Sequence, residues 1–192
     1  GKDITHSSIK HRIEAGMGHI PEDRHKHGLI LDFKLKENMV IHSYNQAPFA
    51  KNGLLQIPAI DKKTDELIEM FDVRSGQGRE TITRSMSGGN QQKAIIAREI
   101  DRSPELLIVV QPTRGLDVGA IEYIHKRIVQ ERDNGKAILL VSLELDEILA
   151  LSDQIAVMFN GELTGWGKAE ETDENELGLM MSGSIRKGVG EA

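Results

Sequence analysis

The sequence predicts an α/β fold built on a parallel sheet, and three observations predict it. Leu106–Val110 ("LLIVV") and Ala137–Ser142 ("AILLVS") are unbroken apolar runs of strand length. Between them, Gly119–Asp133 places Ile121, Ile124, Ile128 and Val129 on one helical stripe. Continuous apolar strands joined through a helix belong to a sheet covered on both faces, because such strands bury both of their sides.

The elements follow in order. Residues 8–16 ("SIKHRIEAG") read as a short amphipathic helix ending at Gly16, and Met17–Ile20 as a short strand stopped by Pro21. "EDRHKHG" is a charged turn. Leu29–Ile82 is expected to be mostly helical: "KENMVIHSY" and "KKTDELIEMFDV" have helical spacing, and Leu67, Ile68 and Phe71 share a face. "NQAPFAKNG" between them reads as loop. Ser87 stands as the N-cap of a helix with glycines in its first turn, ended by Ser103-Pro104. After the strand at Leu106–Val110, Asn134-Gly135 stops the next helix. Leu145–Leu151 is a short helix, Asn160-Gly161 joins Ile155–Phe159 to Glu162–Trp166 as a hairpin, and Glu174–Met181 is a last short helix. The tail from Gly183 is expected to be disordered.

Composition narrows the function. The 192 residues suffice for one domain with a subdomain, and a net charge of −6 with no long basic run argues against unaided nucleic-acid binding. The absence of cysteine excludes disulfides and thiolate ligands. No apolar run approaches the roughly 18 residues that span a bilayer, and no signal peptide is visible. "GKDITHSS" opens without Met, and its Gly1-Lys2 lacks the spacing of a phosphate-binding loop. The sequence therefore reads as a piece of a longer chain.

"SGGNQQ" (Ser87–Gln92) carries the clearest chemistry. Two glycines bare backbone N–H groups at a helix start, where the dipole adds roughly half a positive charge, and Ser87 adds a hydroxyl. That combination suits a terminal phosphate; taken alone it also fits an ordinary glycine-rich helix start. About twenty residues later comes the apolar strand, followed by "PTRGLD", a helix and a second apolar strand. This order resembles the ATP-binding cassette (ABC) family. "SMSGGNQQK" stands at the signature, "LLIVVQPTRGLD" at the Walker B strand and D-loop, "LLVSLELDEI" at the switch-histidine strand and "GHIPEDR" at the Q-loop. The resemblance is nearest to the second of two tandem cassettes in bacterial simple-sugar and nucleoside importers, which carry "IPEDR", "LSGGNQQK" and "PTRGLDVGA".

The resemblance implies a partial P-loop NTPase (RecA-like) parallel sheet with an inserted α-helical subdomain. It places a partial core with the Q-loop in residues 1–29, the helical subdomain ending in the signature helix in 30–103, the rest of the core in 104–183, and a disordered tail in 184–192. The Walker A loop is absent and is expected upstream of residue 1. Val110 occupies the position of the Walker B Asp, Gln111 that of the catalytic Glu and Leu143 that of the switch His, so the local hydrolytic site is read as degenerate. No catalytic residue and no metal ligand of its own is expected.

The family arranges two cassettes head to tail. The resemblance therefore gives Ser87, Gly88, Gly89 and Gln91 a role toward the γ-phosphate of ATP on the other cassette, with Asp117 joining the halves and Glu22 at the Q-loop position. ATP, with Mg²⁺, would be held mainly by the first cassette of the same chain. Permease subunits are the expected membrane partners, and the cytoplasmic face of the bacterial membrane the expected place. The solute class is nucleosides or simple sugars, the departures at Val110 and Gln111 leaning toward nucleosides. By itself the sequence should bind ATP weakly or not at all, hydrolyse none, and self-associate through an exposed sheet edge. A soluble ABC-type protein of translation or DNA repair, or a non-enzymatic interaction module, is the alternative. Among single residues, His19, His25 and His27 read as a solvated loop rather than a metal site. Lys93 reads as a solvated charge and Trp166 as core or edge packing. Arg24 serves either coupling or a surface salt bridge, and Arg114 either pairs near the D-loop or covers the sheet edge.

Overall fold

The computed structural model describes residues 3–188. Two compact units divide the chain, Gly1–Leu139 and Leu140–Ala192.

In the first unit, Ser8 caps α1 (Ile9–Glu14), accepting the N–H of His11, and Gly16 at φ 88° turns the chain into β1 (Met17–Ile20). β1 pairs in parallel with β4 (Leu106–Val110), with Met17 opposite Leu106 and Ile20 opposite Val109. The sheet has the order β1-β4-β5, and β5 (Ala137–Val141) opens with the Ala137 N–H donating to the Glu105 carbonyl at 3.0 Å. Parallel pairing through long crossovers is the architecture expected from the unbroken apolar strands. Alternation along β4 sends Leu107 and Val109 into the core, each fully buried.

Between β1 and β4 lies the expected helical segment, and it is not all helix. After a one-turn π-helix at Arg24–Gly28, α2 (Leu35–Met39) stops five residues short of the predicted end at Tyr44, because Val40 leaves helical geometry at φ −109°. The stretch read as loop instead enters a short antiparallel hairpin, β2 (Ala50–Lys51) with β3 (Leu54–Leu55). Asn52 and Gly53 both take positive φ, 52° and 79°, the type I′ geometry that matches strand twist. α3 (Ile57–Met70) follows and buries Ile60, Thr64 and Leu67, with Phe71 closing its end at 1% exposure.

α4 (Gly88–Asp101) is the central element, buried on nearly every side from Gln91 to Glu99. A helix of this kind is a core element rather than a surface one. α5 (Val118–Asp133) packs Ile124 and Ile128 inward and ends at Asn134, with Gly135 at φ 83° as the predicted stop. Lys93 is not a solvated charge. Its ammonium binds the Asp72 carboxylate at 2.7 Å and lies 4.5 Å from the Tyr123 ring, with only 12% of the side chain exposed. Arg127 covers Phe71 at 4.4 Å and donates to the Met70 carbonyl at 2.5 Å, so α3, α4 and α5 are held together by cations over aromatic faces.

One buried charge organises α4. The Glu99 carboxylate accepts from Arg98 Nε at 2.9 Å, from Arg102 Nη1 at 3.0 Å and from the His19 backbone N–H at 3.4 Å. His42 Nδ1 stands 3.1 Å away, close enough for charge pairing though off the line of a hydrogen bond. Arg98 reaches on to the Gly28 carbonyl at 2.9 Å, and Arg102 to the Ile13 carbonyl at 2.9 Å. Burial opposes ionisation of Glu99, but His42 and Arg98 outweigh it and hold the carboxyl at about 2.

The second unit carries α6 (Leu145–Leu151), the antiparallel hairpin β6 (Gln154–Phe159) and β7 (Glu162–Lys168), and α7 (Glu174–Met181). Asn160 and Gly161, at φ 48° and 83°, make the predicted type I′ turn. Ile155, Val157, Leu177 and Met180 form its core. Trp166 is not core packing: it sits opposite Ala156 on the hairpin with half its surface exposed. The tail predicted to be disordered is ordered as far as it is described. Lys187 donates to the Thr164 carbonyl at 3.0 Å and accepts from the Trp166 N–H at 2.9 Å, because the free edge of β7 offers it partners. Residues 189–192 of that predicted tail lie outside the described residues.

The carboxyl of Glu99 is lowered from 4.5 to about 2, so its stabilisation is complete above about pH 4.5 and is lost as pH falls toward about 2. Glu99→Gln should therefore lower the unfolding free energy at neutral pH by about 3 kcal/mol. It should also remove part of the acid-dependent loss in that window, Glu80 being held low over the same range by Lys34 and Lys36, both effects read by urea denaturation across pH.

Candidate nucleotide-contacting site

The start of α4 is built by its cap. Ser87 sits in extended geometry, φ −64° and ψ 154°, and its hydroxyl accepts from the Asn90 N–H at 3.4 Å and from Asn90 Nδ2 at 2.9 Å. Its carbonyl accepts the Gln91 N–H at 2.9 Å. The cap thus provides for Asn90 and Gln91 and leaves the N–H groups of Gly88 and Gly89 for solvent or a ligand. Asn90 is fixed from the other side, its Oδ1 accepting the Arg74 N–H at 2.7 Å.

A second helix start lies beside the first. Asp117 caps α5, accepting the Ala120 N–H at 2.9 Å. A Cβ placed on Gly89 would stand 3.4 Å from Ala120 Cβ and 3.7 Å from Asp117 Oδ2. The two helix starts therefore lie side by side at Gly89, and Asp117 brings a carboxylate to the same place. A Cβ on Gly88 would meet Arg24 Nη2 at 3.0 Å, so that glycine makes room for a guanidinium. Two positive helix ends and a cation gather here around one exposed carboxylate, a setting that favours an anion.

The tip of β4 carries no acid. Val110 is partly buried, and Gln111 is buried in left-handed geometry at φ 48°. Pro112-Thr113-Arg114-Gly115 then turns the chain, with Arg114 N–H reaching the Gln111 carbonyl at 3.3 Å and Gly115 at φ 69°. Valine supplies no oxygen to a hard cation, and an amide accepts no proton at neutral pH. Glu22, two residues past β1, forms an ion pair with Arg114 across the mouth of this turn. Arg114 thus pairs near the D-loop position, and Arg24 makes no salt bridge among the described residues: it donates to the Arg114 carbonyl at 3.2 Å. Leu143 belongs to the second unit, just past β5, where 72% of it is exposed.

Gln91 does not join the exposed group expected of it. It is 4% exposed, its Nε2 donates to the Thr83 carbonyl at 3.0 Å, and its Oε1 lies 2.9 Å from His25 Nε2. The reason is helical period: Gln91 precedes Ile95 by four residues and Arg98 by seven, which places it on the buried stripe. Asn90, three residues after the cap, holds the position beside Ser87, and that spacing was the signal for it. His25, expected in a solvated loop, is fastened to α4 through Gln91.

No family model matches the chain. Among curated proteins, it is 53% identical over 192 residues to the guanosine import ATP-binding protein NupO of Bacillus subtilis, covering 100% of this chain and 38% of that protein. It is 54% identical over 182 residues to the nucleoside import ATP-binding protein NupA of Lactococcus lactis, covering 95% and 36%. The chain thus spans well under half the length of these relatives. Among solved structures, a nucleotide-free ATP-binding cassette from an ABC transporter superposes with a TM-score of 0.70 at 21% identity, over 94% of this chain and 70% of that one. At that identity the likeness establishes the fold.

Because Gln91 joins His25 to the Thr83 carbonyl from a buried position, Gln91→Ala should cost about 1–3 kcal/mol of stability. Chemical denaturation should show this loss as a lower midpoint with an unchanged slope.

Proposed function

Because the chain belongs to the ATP-binding-cassette family, we propose that it acts as the second, C-terminal cassette of an importer's ATP-driven subunit, with nucleosides as the solute class. The names of its relatives support the solute class, since both import nucleosides. In this reading the chain supplies a phosphate-contacting helix start and leaves hydrolysis to its partner. ATP and Mg²⁺ are held by the first cassette of the same protein, whose triphosphate faces Ser87, Gly88 and Gly89 here. Asp117 belongs to the surface between the two cassettes. No described helix is long and apolar enough to cross a membrane; in the proposal, permease subunits bring the protein to the cytoplasmic face.

The observation that carries this reading is a contrast within one small region. The helix start at Ser87–Gly89 keeps its cap and its unpartnered N–H groups, while the strand tip at Val110–Gln111 has no carboxylate. Loss of a general base costs about 10²–10⁴-fold in rate, and without metal support the loss is larger still. A site so altered would do little for nucleotide bound on its own side. The donors at residues 87–89 retain value only toward a phosphate supplied from outside the chain, where fixed dipoles stabilise charge that develops during transfer.

The test is Ser87→Arg in the intact importer. Transport-coupled ATPase should fall by about 10²-fold, while assembly with the permease persists. An unchanged rate would remove the proposed role of this helix start.

A further inference from the structure

Arg24 stands where charge alone would not put it. Its guanidinium lies against the start of α4, the positive end of a helix, where a cation is disfavoured. Nη1 donates to the Arg114 carbonyl at 3.2 Å, and Nε is shut away from solvent with no hydrogen-bond partner. Gly88 makes the slot, and Gly115 borders it at ordinary contact distance. A Cβ at Gly88 would stand 3.0 Å from Nη2, and one at Gly115 would stand 4.0 Å from it.

The neighbours of Arg24 complete a clamp. Glu22, two residues earlier, pairs with the Arg114 side chain, while Arg24 takes the Arg114 carbonyl. Asp23 between them accepts the N–H groups of His25 and Lys26, each at 3.0 Å, which fixes the turn that presents Arg24. His25 anchors that turn to α4 through Gln91 at 2.9 Å. The end of β1, the turn after β4 and the start of α4 are thereby tied at one side chain.

Resting on the function proposed above, we infer that Arg24 is a positioning residue that holds the Gly88–Gly89 donors at a fixed distance from the Arg114–Gly115 turn. An exposed ion pair such as Glu22–Arg114 contributes little by itself. The guanidinium, wedged against Gly88 and bonded to the Arg114 carbonyl, does what that pair cannot: it sets the spacing of two backbone segments. Donors held in place bind a phosphate without first being ordered. With the wedge removed, that ordering falls on the binding step, so ground state and transition state lose equally and the loss appears in KM.

The test uses the intact importer in its membrane, with MgATP as the probe. Arg24→Met, which keeps the aliphatic stem, should raise the KM for ATP about tenfold with kcat changed less than about twofold. Arg24→Lys, which keeps one donor, should raise KM about threefold, and Lys26→Ala, an equal change of charge nearby, should leave it unaltered. An unchanged KM in Arg24→Met would overturn the inference, whether or not its melting temperature falls; so would an equal KM rise in Lys26→Ala, which would point to bulk charge. Should Arg24→Met not assemble, Arg24→Lys decides: a raised KM supports the wedge and an unaltered one overturns it. Ser87→Arg run in the same series separates the two ideas. If it abolishes ATPase while the Arg24 variants behave like the parent, the wedge fails and the proposed function stands; if it too is without effect, the proposed function fails first.

Discussion

The buried carboxylate of Glu99 is the constraint on which the rest of the first unit depends. A charge at 1% exposure is tolerable only with full pairing. Glu99 has that pairing because α1, β1 and the segment after α2 each bring something to it: the Ile13 carbonyl through Arg102, the His19 N–H, and His42. Ion pairs of this kind are a doubtful source of net stability against an apolar replacement, but breaking one is costly. Their effect here is geometric. Arg98 and Glu99 fix the rotation of α4 about its own axis, and with that rotation set, Gln91 faces inward and Ser87 to Gly89 face the turn after β4.

The two ends of α4 thus differ in kind. The end at Glu99 is closed, charged and internally satisfied. The other end is open, glycine-bared and left with two N–H groups the fold does not use. Left-handed backbone collects around the open end, Gln111 at φ 48° and Gly115 at φ 69°, beside the buried side-chain nitrogen Nε of Arg24, which has no partner. Local departures of this kind gather at functional sites, where a surrounding structure that is otherwise consistent sustains them. The deeply packed Ile95, Ile96, Leu107 and Val109 supply that consistency.

Where the local chemistry decides the structure, the sequence was legible. Ser87 as a cap, Asn134-Gly135 as a stop and Asn160-Gly161 as a hairpin turn each carry their mechanism in two or three residues, and each stands where expected. Asn52-Gly53 carries the same turn signal, but strands of two residues give no alternating pattern to accompany it, so the hairpin was hidden in loop composition. The end of α2 is set by tertiary packing of Val40 and Phe49 rather than by helical spacing. Pairs far apart in sequence were out of reach altogether. Nothing near Arg24 announces Arg114 ninety residues later, and nothing near Lys187 announces the free edge at Thr164 and Trp166. Gln91 differs for another reason: the family likeness marks the motif but not the face of the helix, and the helical period turns Gln91 inward.

The proposed function requires a phosphate that reaches α4 from outside this chain. A structure of the intact two-cassette protein with a non-hydrolysable ATP analogue measures that directly. The terminal phosphate of the analogue should lie within about 3 Å of the Gly88 or Gly89 nitrogen, with the triphosphate otherwise held by the first cassette. An α4 start turned away from every phosphate in that structure would contradict it.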